Sequence, residues 1–141
     1  MSELCLRRIN NEIRDLPGYA SSIWTAKPYG GYDILKWEAT INNLDSPRHK
    51  GKEYRLLIEI PGDYPLIPPS VRFIDHVKSE NVYYDGEICV DILKEAWSPI
   101  ITIWVLLESI SSLLNDEPIS GLVNKVRTVS ENVNYKILSL V

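Results

Sequence analysis

Cysteine and histidine are scarce in this chain of 141 residues: Cys5 and Cys89 are the only thiols, His49 and His76 the only imidazoles. None of the four stands at CxxC or HxxxH-like spacing, so no metal centre is expected. The seven glycines are scattered singly or as the Gly30-Gly31 turn, which leaves no glycine-rich phosphate loop. No apolar run approaches the roughly 18 residues of a membrane span. The opening segment, MSELCLRRINNEIRDL, breaks its apolar positions with Arg, Asn and Glu and lacks the core of a signal peptide. A formal net charge of −4 argues against the basic surface that holds nucleic-acid phosphates or an anionic bilayer. The expectations are a reducing compartment, free thiols, and neither nucleic acid nor membrane as partner.

What is present reads as one α+β domain over residues 1–141. Hydrophobic residues make up 45% and charged residues 24%, an ordinary globular balance. Leu6, Ile9, Ile13 and Leu16 recur at helical spacing among polar residues, with Ser2 as cap and Pro17 as terminator. Cys5 beside that stripe reads as a packed small hydrophobe. Strand-like segments at 21–26, 32–41, 52–60 and 71–74, separated by turn residues, predict a four-stranded antiparallel meander. The passage Pro61 to Pro69 has too many fixed φ angles and too few donors to pair in a sheet, and is expected to be a stiff connector. A core helix follows from a Thr102 cap through Ile103, Leu106, Leu107, Ile110, Leu113 and Leu114 to Asp116-Glu117-Pro118. Short helices near 122–126 and 130–141 complete the expectation.

Between Asp75 and Pro99 periodicity is lost, yet apolar anchors remain. Irregular stretches of such length inside a compact domain tend to be functional. This one holds Cys89 between the Asp85-Gly86 turn and the run Val90, Ile92, Leu93. A thiol nucleophile acts as thiolate and normally needs a base. His49, in a charged turn, is expected to be solvated; His76 begins the loop and could approach Cys89 as in a Cys–His hydrolase. The other reading is a thiol that accepts an acyl group from an activated donor and passes it on, which needs no strong base. It does need a donor for the oxyanion. Asn81 is the candidate, against the plainer reading of an Asn bonded within its own turn.

The stretch Asn81, Gly86, Ile88-Cys89-Val90-Asp91-Ile92-Leu93 and Trp97-Ser98-Pro99 resembles the active-site region of ubiquitin-conjugating enzymes, with the Asn-to-cysteine spacing of eight kept. Leu6-Arg7-Arg8-Ile9 with Glu12, Trp37-Glu38-Ala39-Thr40 and the passage from Ile60 to Pro69 resemble other parts of the family pattern. The resemblance implies the family's fold: an N-terminal helix, a four-stranded meander, a long active-site loop, a central core helix and short C-terminal helices. It implies that Cys89 carries ubiquitin or a ubiquitin-like protein as a thioester, received from an activating enzyme and passed to a lysine of a substrate protein. Asn81 would stabilise the oxyanion or hold the loop. Arg7 and Arg8 fall where the activating enzyme docks, and Leu66, Pro99 and Ile100 where RING or HECT-type ligases dock. No cofactor is implied, and the cytoplasm or nucleus is the implied location.

The pattern is departed from twice. Ser79-Glu80 stand where the family has His-Pro, which implies that Asn81 is held less firmly here. The segment from Asn115 to Gly121 is one residue short, and Ser120 falls at a gate position that is often Asp. An alternative follows: a catalytically impaired scaffold of the same fold that binds ubiquitin or a partner.

Overall fold

The computed structural model describes residues 1–118. Helix α1 spans Glu3–Asp15 and is followed by a 3-10 turn, Leu16–Tyr19. Ser2 caps α1, its hydroxyl accepting from the Cys5 N–H at 3.0 Å. The buried face of α1 is Cys5, Ile9 and Glu12. It is rotated from the expected stripe, since Leu6 is exposed while Ile13 and Leu16 pack at the edge of the core. Cys5, fully buried, behaves as the expected small hydrophobe.

Strands β1 (Trp24–Tyr29), β2 (Asp33–Ile41), β3 (Tyr54–Glu59) and β4 (Ser70–Phe73) form one antiparallel sheet in chain order. The first strand lies three residues later than expected and takes in Lys27-Pro28-Tyr29, which the sequence assigns to the turn. Proline is tolerated there because β1 is an edge strand. The register pairs Trp37 with Ile58, Ala39 with Leu56 and Ile41 with Tyr54. These residues are buried while their neighbours are not, as the two-residue period requires.

Helix α2 (Ile103–Asn115) begins at the expected cap, the Thr102 hydroxyl accepting from the Val105 N–H at 3.4 Å. It is apolar on nearly every side and runs through the hydrophobic core. Buried Glu12 of α1 joins the two helices. Its carboxylate accepts from the Ile103 N–H at 2.7 Å, from Arg8 Nε at 2.9 Å and from the Tyr64 hydroxyl. Burial pushes the Glu12 carboxyl above its ordinary pKa, against the pull of those donors.

Two connections position the site. Residues 61–69 form the expected stiff connector, with Tyr64 buried and the Trp97 indole donating to the Pro65 carbonyl at 2.9 Å. The β2–β3 connection, residues 42–53, is longer than a simple turn and folds back onto the end of α2. Asn115 Oδ1 accepts the N–H groups of Asp45 at 2.7 Å and Ser46 at 3.0 Å. Among the described residues, no helix is long and apolar enough to cross a membrane. The expected short helices near 122–126 and 130–141 lie outside the described residues.

Candidate active site

The stretch from Asp75 to Pro99 is irregular, as expected, but it is tied down at several points. Gly86 sits at φ +91° against β4, and a Cβ there would lie 2.0 Å from the Phe73 carbonyl oxygen. That is a backbone approach only glycine allows. The Phe73 N–H donates to the Gly86 carbonyl at 2.9 Å, and isolated bridges pair Arg72 with Glu87 and Val82 with Ile88. Ile88, Val90 and Ile92 enter the core. Alternation then turns Cys89 the other way, half-buried.

The Cys89 N–H donates to the Asn81 carbonyl at 2.7 Å. Tyr83, half-exposed, stands near the thiol, and the neighbouring Cys89 side chain raises the phenol's pKa. Its position two residues beyond Asn81, on the other limb of the tight turn that ends in Cys89, is what brings it near the sulfur.

Asn81 is 1% exposed. Its side-chain Nδ2 donates to Glu117 at 2.8 Å, and its backbone N–H donates to the Ser79 hydroxyl at 3.0 Å. Ser79 in turn donates to the same Glu117 oxygen at 2.5 Å. The expectation that Ser79-Glu80 leaves Asn81 loosely held is therefore corrected: serine supplies a compact hydroxyl-to-backbone turn, and Glu80 locks onto Arg48 at 2.5 and 3.1 Å. That hydrogen bond from Arg48 holds the Glu80 carboxyl below its ordinary pKa despite partial burial. With Nδ2 engaged, Asn81 holds the loop in this structure.

His49 is a second correction. It is fully buried, not solvated. Nε2 donates to the Glu117 carboxylate at 2.7 Å, and Nδ1 lies 2.8 Å from the Tyr54 hydroxyl. Burial and the nearby Glu117 charge raise the Tyr54 phenol's pKa, so the hydroxyl keeps its proton. The polar look of Ser46-Pro47-Arg48-His49-Lys50 hides partners 5 and 68 residues away. His76 is exposed, its ring centred 6.1 Å from that of Tyr84. Neither imidazole bonds the Cys89 sulfur, so the Cys–His pair of the hydrolase reading is not assembled.

The remaining expected positions fall on the surface to differing degrees. Arg7 is exposed and 3.6 Å from Glu3. Arg8 is mostly covered: beyond Glu12, it donates to the carbonyls of Pro99 at 2.5 Å and Ile101 at 2.8 Å, and its guanidinium lies 5.5 Å from the Tyr64 ring centre. Leu66 and Ile100 are 64% and 61% exposed, and Pro99 is exposed beside them. Arg8 thus ties α1 to the segment that carries Pro99 and Ile100. Ser120 lies outside the described residues.

The site thus sets a half-buried cysteine on a glycine-pinned loop beside a buried asparagine, with neither imidazole bonded to the sulfur. The family model for ubiquitin-conjugating enzymes matches residues 8–136. The fold is similar to that of human ubiquitin-conjugating enzyme E2 G1, with a TM-score of 0.73 and 27% sequence identity, covering 77% of this chain and 93% of that one. With the helix, the four-stranded meander and the later core helix in the same order, this chain belongs to the ubiquitin-conjugating enzyme family.

Proposed function

We propose that the protein is an active transferase that carries ubiquitin, or a ubiquitin-like protein, as a thioester on Cys89 and delivers it to a lysine. The Cys89 thiolate attacks the thioester carbonyl of the charged activating enzyme and expels that enzyme's thiolate. An amine then attacks the new thioester, the C–S bond breaks with Cys89 leaving as thiolate, and the amine's proton passes to that thiolate or to water. The observation that carries this reading is the combination of a half-buried Cys89 with a His49 engaged elsewhere and an exposed His76 that does not bond the sulfur. Exchange between thioesters is nearly balanced and needs positioning and desolvation more than a strong base.

Exposed Leu66 and Ile100 fit a surface for ligases, with Arg7 the more available of the two arginines for the activating enzyme. Ser120 at the gate and a cytoplasmic or nuclear setting belong to the same proposal. The test is incubation with activating enzyme, ATP and ubiquitin. A thiol-labile adduct that is lost in Cys89→Ala supports the proposal, and its absence across ubiquitin and ubiquitin-like proteins refutes it. Discharge of the isolated adduct to free lysine separates a working enzyme from a scaffold that charges but does not transfer.

A further inference from the structure

Glu117 is the most heavily engaged polar side chain in the described structure. It stands two residues past the end of α2 and is 3% exposed. One carboxylate oxygen accepts from His49 Nε2 at 2.7 Å and lies 3.5 Å from Arg48. The other accepts from Asn81 Nδ2 at 2.8 Å and from the Ser79 hydroxyl at 2.5 Å. Its backbone carbonyl accepts from the Ser46 hydroxyl at 2.7 Å. Three separate pieces of chain, the 42–53 connection, the Cys89 loop and the end of α2, therefore meet on this one residue. A buried carboxylate is costly unless its lone pairs are filled, and here both oxygens are.

The chemistry of the acceptor matters as much as its place. An ionised carboxylate only accepts, so the Asn81 amide has one permitted orientation, with Nδ2 toward Glu117. Asn81 Oδ1, turned away, is buried without a hydrogen-bond partner. A leucine at 117 keeps the bulk of the side chain and offers an acceptor neither to His49 on one side nor to Asn81 with Ser79 on the other.

We propose that Glu117, buttressed by His49, is a positioning residue for the transfer step: acting through Asn81, it fixes the loop limb whose carbonyl receives the Cys89 N–H. It adds, from the end of α2, to the fixation that Ser79 and Glu80 give the loop. This rests on the transferase reading above.

The experiment measures two rates in the full chain, charging of Cys89 by the activating enzyme with ATP and ubiquitin, and discharge of the purified adduct to free lysine. Wild type is compared with Glu117→Leu, Asn81→Ala and the double variant. Charging in Glu117→Leu is expected to match wild type, while discharge slows about tenfold or more, the kinetic equivalent of losing a hydrogen bond to a charged group. The double variant is expected to be no slower than Asn81→Ala, since both changes cut one pathway. Wild-type discharge in Glu117→Leu, or losses that multiply in the double variant, overturns the proposal. Should Glu117→Leu fail to fold, Ser79→Ala replaces it under the same two requirements. A wild-type chain that takes no adduct on Cys89 refutes the transferase reading itself, and this inference with it.

Discussion

Gly86→Ala is the most informative single change near the thiol, because its cost can be built up from the geometry. The residue sits at φ +91°, where an L side chain costs about 1–2 kcal/mol. The new Cβ would meet the Phe73 oxygen at 2.0 Å and its carbonyl carbon at 3.0 Å, both backbone atoms that cannot rotate away. Relief requires lifting the turn from β4, which breaks the 2.9 Å bond from the Phe73 N–H and strains the Arg72–Glu87 bridge. Each lost hydrogen bond costs about 1 kcal/mol, so the sum is about 3 kcal/mol. For a domain of this size that lowers the melting temperature by about 10 °C. Gly31→Ala is the control: Gly31 has φ +83° but open space around its would-be Cβ, so it carries the strain without the clash and should cost about 1 kcal/mol. Urea unfolding followed by tryptophan fluorescence gives both values. If Gly86→Ala is no worse than Gly31→Ala, the close approach of the turn to β4 does not hold the loop and the reasoning fails.

Replacing Glu12 by alanine strips the buried Ile103 N–H, the Tyr64 hydroxyl and Arg8 of their shared acceptor, and should cost about 3 kcal/mol in the same unfolding assay. Asp75 accepts both the Arg55 guanidinium, at 2.7 and 3.0 Å, and the Arg55 N–H, at 2.8 Å; the side-chain bond is the main cause of its lowered pKa. A carboxyl whose folded pKa is lowered stabilises above its unfolded value and loses that contribution as pH falls through the folded value. Asp75→Asn should therefore cost about 1 kcal/mol at neutral pH, and the difference from wild type should begin to shrink as pH falls to about 4 and vanish only once pH has passed below the lowered folded value. Native-state alkylation followed by mass spectrometry should mark Cys89 alone. Cys5 is fully buried, its thiol donates to the Pro61 carbonyl at 3.5 Å and its pKa is raised by burial, so it should react only on unfolding.

Much of this protein was legible in local patterns. The two-residue alternation in β2 and β3, the Ser2 and Thr102 caps, the donor-poor proline connector and the spacing of Asn81 to Cys89 all express physics that acts within a few residues, so the meander, both described helices and the thiol could be read directly. The errors lie where distant segments meet. Leu6 was assigned to the buried face of α1 because periodicity fixes a stripe's spacing but not which stripe faces the core. There Glu12 meets Tyr64 and the start of α2.

His49 was expected in solvent because its immediate neighbours are charged, whereas its partners come from β3 and from beyond α2. Glu117 looked like the end of a helix, and Ser79-Glu80 like a weakened motif. The sequence by itself determined the elements and the family resemblance, since each rests on short-range propensity or on an ordered string of residues. Only the tertiary structure decided how Asn81 is held. The energy of a buried hydrogen-bond network depends on which chain segments exclude water together, and no single stretch of sequence contains that information.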